Sequence, residues 1–514
     1  MQFFHTPLFL AVQQSNIFAD SKAFADAIPK VSWEQACALY EQQLPSGNAL
    51  SDFVDAHFTF AAKPELELLG KIDTVDEYIS TLWEKLARPP TKESQGSLLA
   101  LPHTYTVPGG RFNEIYYWDT YFTALGLMDQ GNVVQVASML ENFINLINKY
   151  GHVPNGNRSY YISRSQPPVC SLMVDLLWPH YHVDCRWVAR VTKALEREYT
   201  FWMSQEAEPF GGRVVTMPCG GLLNRYWDND PSPRPESYKE DIAEAQHIDS
   251  QHKKAFYRHI RAACESGWDF SSRWLADPQK LESIRTCDIV PVDLNALMFQ
   301  LEKCLATCYK HHNNMPKANH YQERASKRKT LINTYLWDPD SGIYFDWVLS
   351  EQQRSTVQSL ATTVPLFCEM CSEQQSYDIG GALANTFLKE GGLVTTAISS
   401  KQQWDSPNGW APLQWFAVAG LLKHGQQELA FDIVERWLAM IEASYAQTAC
   451  LLEKYNVLNW QQIAGGGEYV VQQGFGWTNG VTSRFYELQK ARQVGDEHKL
   501  QKLFASNLPT LVIA

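Results

Sequence analysis

Two separated segments concentrate the groups that could grip a polyhydroxylated ligand. The first, Pro108-Gly109-Gly110-Arg111-Phe112-Asn113-Glu114-Ile115-Tyr116-Tyr117-Trp118-Asp119-Thr120-Tyr121-Phe122, packs a turn, a forked cation, carboxylates and ring faces together. The second, Gln403-Trp404-Asp405-Ser406-Pro407-Asn408-Gly409-Trp410-Ala411-Pro412, repeats the vocabulary with another Trp-Asp pair. A guanidinium fork holds two neighbouring hydroxyls in one plane, and an aromatic face covers the apolar side of a pyranose ring. Arg111, Arg164 and Arg234 each sit in such a context, within Gly110-Arg111, Arg164-Ser165-Gln166 and Arg234-Pro235-Glu236.

Hydrolysis of an acetal between two sugars needs a proton donor for the leaving oxygen and a base or nucleophile, and a pair of carboxyl groups supplies both. The chain has 56 acidic residues, so surroundings must select the pair. Asp269 lies in Glu265-Ser266-Gly267-Trp268-Asp269-Phe270-Ser271-Ser272-Arg273-Trp274, a lone carboxyl among rings. Desolvation there would raise its pKa and keep it protonated near neutrality, as a general acid requires. The plainer alternative is a helix-capping Asp beside core aromatics. Asp405 and Asp119 have two open readings, direct contact or organisation of the pocket's hydrogen bonds. Cys368-Glu369-Met370-Cys371 and the cluster Cys304, Cys308, His311 and His312 carry metal-like spacing, but the first lacks a second pair and the rest fit an apolar helix stripe. No metal site is expected.

These groups need a scaffold. The apolar positions Val133, Val136, Met139, Leu140, Phe143, Ile144 and Ile147 predict a helix over 133–149. Asp293 is placed to cap another whose stripe runs Leu294, Leu297, Met298, Leu301, Cys304, Leu305 and Cys308. Further helices are expected at 413–422, 430–441 and 481–488. Strand patterns are limited to 213–217 and 342–348. The fold class is therefore mainly α. Long loops at 101–121, 151–170, 218–240, 402–412 and 456–476 exceed what connection alone requires. No linker or low-complexity tract divides the chain, which favours one domain.

A formal net charge of −12 and a pI near 5.6 repel phosphate backbones and anionic lipid, so no nucleic-acid and no membrane partner is expected. Eleven cysteines without framework spacing suggest a reducing compartment. The apolar patch 7–12 has no Lys or Arg before it, the first cation being Lys22, which does not read as a leader. Cytoplasm is the resulting expectation.

Together the two aromatic segments, the Trp268-Asp269 segment, Leu452-Glu453-Lys454-Tyr455-Asn456 and Gly465-Gly466-Gly467-Glu468-Tyr469 resemble the trehalases of glycoside hydrolase family 37, from about Phe9 to about Leu488. The resemblance implies an (α/α)6 barrel with its active site in the loop-rich face, residues 1–514 forming a single catalytic domain with a short N-terminal extension. It implies hydrolysis of α,α-trehalose to two glucose molecules with inversion, Asp269 as general acid and Glu453 as general base, the carboxyl groups roughly 6.5 to 9.5 Å apart with a water between them. The substrate contacts it implies are Arg111, Trp118, Asp119, Asn155, Arg164, Ser165, Gln166, Arg234, Pro235, Glu236, Gly267 and Glu468, with the glycine run as a lid. Trehalose and water are the expected partners of a monomer, with no cofactor. Asn456 departs from the family, which often has Asp there, and the glycine run is one residue shorter than its commonest form. Two alternatives are a glucosidase on the same barrel acting on another small disaccharide, and a silent sugar-binding protein that keeps the pocket.

Overall fold

The three-and-four apolar spacing between Val133 and Ile147 builds a helix over Val133–Tyr150 that stops at Gly151. It is one of nineteen α-helices in the computed structural model, which describes residues 3–60, 72–92, 96–204 and 211–509. Four precede the main body: α1 (Pro7–Gln14), α2 (Ser21–Ala25), α3 (Trp33–Gln43) and α4 (Asn48–His57). Then come α5 (Val75–Leu86), α6 (Tyr117–Asp129), α7 (Val133–Tyr150), α8 (Cys170–Tyr181), α9 (Cys185–Met203), α10 (Tyr238–Glu244), α11 (Lys253–Ser266), α12 (Val292–His311) and α13 (Met315–Tyr335). The chain closes with α14 (Thr363–Phe367), α15 (Glu373–Ala382), α16 (Ala411–Lys423), α17 (Gln427–Thr448), α18 (Gly476–Gln493) and α19 (Glu497–Phe504).

Six of these form a closed ring: α6 packs on α8, α8 on α12, α12 on α14, α14 on α16, α16 on α18, and α18 returns to α6. Around it, α7 covers α6 and α8, α9 and α13 cover α12, α17 covers α16 and α18, and α5 covers α18. This is an (α/α)6 barrel. A helix that is apolar all round belongs inside, and α16 is buried at every position except Lys423. The same holds for α12, where only Lys303, Lys310 and His311 escape burial, so its expected one-sided stripe is in fact a complete jacket. Nor does Asp293 cap α12. The cap is Pro291, and Asp293 lies in the first turn because Arg273 claims its carboxylate with two 2.8 Å hydrogen bonds.

The seam between α6 and α18 is the tightest in the ring. A Cβ on Gly126 would lie 2.8 Å from the Cα of Gly480, and one on Gly480 would lie 2.0 Å from the carbonyl oxygen of Phe122. Only hydrogen side chains let these two backbones meet.

Among the described residues the strands are two or three residues long, including the hairpin Val214–Thr216 with Leu222–Asn224. The stretch expected as a strand at 342–348 splits into Ile343–Tyr344 and Trp347–Val348, which pair with different partners. One small pair matters for the site: Asn408 faces Asn456 and Gly409 faces Tyr455, tying the loop before α16 to the segment after Glu453. The side chain of Asn456 accepts backbone N–H groups from Leu458 (3.1 Å) and Asn459 (2.9 Å), a role an Asp carboxylate fills equally well.

Residues 3–58 build a second apolar cluster around Phe9, Phe24, Phe53 and Phe58, which continues onto the barrel rim through Tyr116, Tyr160 and Tyr161. The patch at 7–12 thus folds as α1, with Leu8, Phe9 and Val12 buried. No helix among the described residues is long and apolar enough to cross a membrane.

Candidate active site

The N-terminal ends of three inner helices open onto one cavity. Trp118 and Asp119 reach it from the first turn of α6, Trp410 from the cap of α16, and Trp477 from the first turn of α18. The tryptophans form a connected wall: Trp404 stacks on Trp410 at 3.8 Å and on Trp268 at 5.4 Å, and Trp118 tilts against Trp404 at 5.9 Å. Gly267 ends α11 with φ 75° and turns the chain so that Asp269 reaches the cavity wall, with Trp268 packed against Trp404. A Cβ there would lie 2.7 Å from the Trp118 ring, so this glycine also makes room for the indole.

Asp269 and Glu453 both line the cavity. Burial pushes the Asp269 carboxyl up to about 7, against the nearby Arg234 charge and with that of Glu468. Burial also raises Glu453, opposed by Lys454 and by a hydrogen bond from Tyr469. The Tyr469 hydroxyl donates to Glu453 Oε1 at 2.9 Å, whereas Glu453 Oε2 is buried without a hydrogen-bond partner among the described residues. Asp119 is the third acid. Burial lifts its pKa well above the ordinary carboxylate range, and the charges of Glu453 and Asp269 add to the rise.

Each motif arginine is held by acids. Arg111 makes a bidentate pair with Asp20 (3.0 and 2.7 Å) and lies over the Tyr469 ring at 4.7 Å. Arg164 donates to Asn155 (2.9 Å) and Glu236 (2.7 Å), and Arg234 spans Asp241 and Glu468, the latter at 2.7 Å. Planar forks fixed in this way can present their remaining N–H groups in set directions. Among the described residues Arg164 Nη1, 3.6 Å from Asp228, and Glu236 Oε2 are buried without hydrogen-bond partners, and both residues line the cavity. With Glu453 Oε2 they give one donor and two acceptors that a polyhydroxylated ligand would satisfy; an unsatisfied buried polar group otherwise costs about 1–3 kcal/mol.

Of the expected site residues, Asp269, Glu453, Arg111, Trp118, Asp119, Asn155, Arg164, Gln166, Arg234, Glu236, Gly267 and Glu468 line the cavity. Ser165 and Pro235 do not. The Ser165 N–H donates to Glu265 (2.8 Å) and its hydroxyl to the Val153 carbonyl (2.7 Å), and the Pro235 carbonyl accepts from Gln13 (3.1 Å), so both brace their neighbours from behind. Asp405 is an organiser: it accepts from Ser271, Ser272, Thr396 and Ser400, binding the Asp269 segment to the 403–410 loop. Sequence reasoning missed Lys22, whose buried ammonium pairs with Glu114 at 2.7 Å at the cavity edge. It also missed Tyr469, Trp477 and Gln403 as lining groups. The Glu468-Tyr469 pair was the available clue for Tyr469, whereas nothing local marks Lys22.

Comparison with known proteins follows the same lines. The trehalase family profile matches residues 16–490. Periplasmic trehalases of Shigella flexneri and Escherichia coli K12 are each 44% identical over 488 residues, covering 94% of this chain and 86% of the relative. Among solved structures, the neutral trehalase of Saccharomyces cerevisiae superposes with a TM-score of 0.63 at 24% identity, covering 98% of this chain and 94% of that one. A mannosylglycerate hydrolase of Thermus thermophilus superposes at 0.52 and 17% identity over 80% of this chain and all of the other, a likeness of fold alone. The bacterial relatives are named as periplasmic enzymes, which overturns the cytoplasmic expectation. Cysteine usage misled because most of the eleven free cysteines are buried, where a thiol behaves as a small hydrophobe in any compartment.

Proposed function

The chain belongs to the trehalase family and is a glycoside hydrolase, and on that premise we propose that it cleaves α,α-trehalose into two glucose molecules with inversion, Asp269 acting as general acid and Glu453 as general base. The observation that carries the reading is the contrast between the two acids in one cavity. Asp269, pushed up to about 7, keeps its proton through the weakly acidic range and still carries it in a large fraction of molecules at neutral pH, and Glu453 has one oxygen held and the other open.

The steps follow from that contrast. Glu453 Oε2 accepts a proton from a water whose oxygen attacks an anomeric carbon. The bond from that carbon to the bridging oxygen breaks on the opposite face, and Asp269 gives its proton to the departing oxygen. One β-glucose and one α-glucose result. Arg164, Asn155 and Glu236 would hold hydroxyls of one ring and Arg234 and Glu468 those nearer Asp269, with Trp118 against a ring face. Burial favours the protonated form of Asp119, which in that form would donate as well as accept. Residues 3–60 belong to the same catalytic unit in this reading, since Asp20 holds Arg111 and Lys22 lines the cavity.

The test is proton NMR of trehalose hydrolysis by the wild type, Asp269→Ala and Glu453→Ala. Equal initial α- and β-glucose, with turnover in each variant reduced by about 10²- to 10⁴-fold, is the expected result. Two α-glucose molecules would overturn inversion, and an active Ala variant would overturn the assignment of that residue.

A further inference from the structure

We propose that Tyr469 is a positioning residue for the reaction: its hydroxyl fixes one oxygen of Glu453 so that the other faces water, and the N-terminal segment sets its place through Asp20 and Arg111. The inference rests on the reading of Glu453 as the base.

The backbone of Glu453 is pinned on both sides. Its N–H donates to the Gln472 carbonyl at 2.9 Å and its own carbonyl accepts the Trp477 indole N–H at 2.9 Å. What remains free is rotation of the side chain, and among the described residues the one hydrogen bond that stops it is that from Tyr469 to Oε1, Oε2 having no partner there. A water-activating carboxylate needs that division, since an oxygen shared among several donors is a weaker base. Tyr469 is itself located by contacts from two other parts of the chain. The Phe112 ring meets its edge at 5.5 Å and the Arg111 guanidinium covers its face at 4.7 Å. Arg111 in turn is fixed by Asp20 in the segment between α1 and α2. A cation over the ring draws electron density from the phenol and strengthens its O–H as a donor.

Hydrogen bonding to the charged form of a carboxyl group favours that form. The groups facing Glu453 are Lys454 beside it, Arg111 from the loop before α6, Asp119 from α6 and Tyr469 from the glycine-rich loop, with Asp269 across the cavity. The Tyr469 hydroxyl stays protonated throughout, because burial and the charges of Glu453 and Asp269 raise its pKa well above 10. Removing it leaves burial of Glu453 less opposed.

The experiment is the pH profile of kcat and KM on trehalose for the wild type, Tyr469→Phe, Asp20→Asn and Glu453→Gln. Phe keeps the ring and its contacts and deletes only the donor. The acid limb of kcat/KM for Tyr469→Phe should move up by about one pH unit, and plateau kcat should fall roughly tenfold to a hundredfold with KM held within about twofold. Asp20→Asn should move the limb the same way by less. The position of the limb does not depend on the fraction of folded enzyme, so a destabilised variant still reports. An unmoved limb, or a loss confined to KM, would overturn the positioning role. Turnover by Glu453→Gln near the wild-type level would overturn the base assignment instead, and an inactive Glu453→Gln beside an unmoved Tyr469→Phe would sink only the role of Tyr469.

Discussion

Asn in place of Asp269 exposes the setting of the acid through stability instead of turnover. Burial raises this carboxyl from 3.8 to about 7, so the folded protein disfavours its ionised form. Below about pH 3.8 the group is neutral in folded and unfolded chains alike and contributes nothing. Between 3.8 and 7 the unfolded chain ionises and the folded chain resists, so stability is lost as pH rises. Above 7 the full penalty stands, on the order of 4 kcal/mol at about 1.4 kcal/mol per tenfold change. Asn is nearly isosteric and neutral at every pH, and it removes that penalty. For 514 residues, an unfolding entropy of about 2.1 cal/mol/K each makes 4 kcal/mol worth about 4 °C in Tm. Differential scanning calorimetry of both proteins from pH 4 to pH 8 should show Tm values that coincide at the acid end and an Asn variant about 4 °C higher at pH 8. Groups common to both chains cancel in the difference. A gap that is constant with pH, or an Asn variant less stable at pH 8, would refute the account of a buried, penalised acid.

Three further outcomes are expected. Wild-type kcat/KM should fall above about pH 7 as Asp269 ionises, measured on trehalose by glucose release. Gly267→Ala, which must adopt φ 75° and press on Trp118, should lose about 1–2 kcal/mol of stability from the backbone alone and more than tenfold in kcat/KM as the indole is displaced. Arg273→Met would leave Asp293 and Asp346 buried and unpaired, which should cost about 3–5 kcal/mol in a thermal melt, and Asp293→Asn with Asp346→Asn in the same chain should restore part of it.

The helices were legible where one face is apolar, as in α7, because periodicity records which side meets the core. The inner helices blur that signal: α12 and α16 are enclosed on all sides, so their sequences show apolar content without a direction. Asp293 reads locally as a cap, and only Arg273, twenty positions earlier and brought alongside by the fold, shows why it is not. Arg111 and Arg234 were recognisable by motif, but their partners Asp20 and Asp241 were not, since an ordinary Asp gains its meaning from what folds against it. Ser165 and Pro235 mark the limit in the other direction. Chain neighbours of site residues share a motif without sharing an orientation, and these two face the scaffold.

The glycine seam between α6 and α18 has a kinetic consequence for the protein as it is made. The flank of α6 that carries Gly126 stays open until Gly480 has been synthesised, and α18 is complete only at Gln493. At roughly 5–20 residues per second, translation from Asp129 to Gln493 takes roughly 20–70 s. For that interval a nascent chain displays an incomplete ring with apolar inner faces, and it lacks Glu453 and Trp477 until near the end. Ring closure is therefore a late, long-range event that favours slow folding.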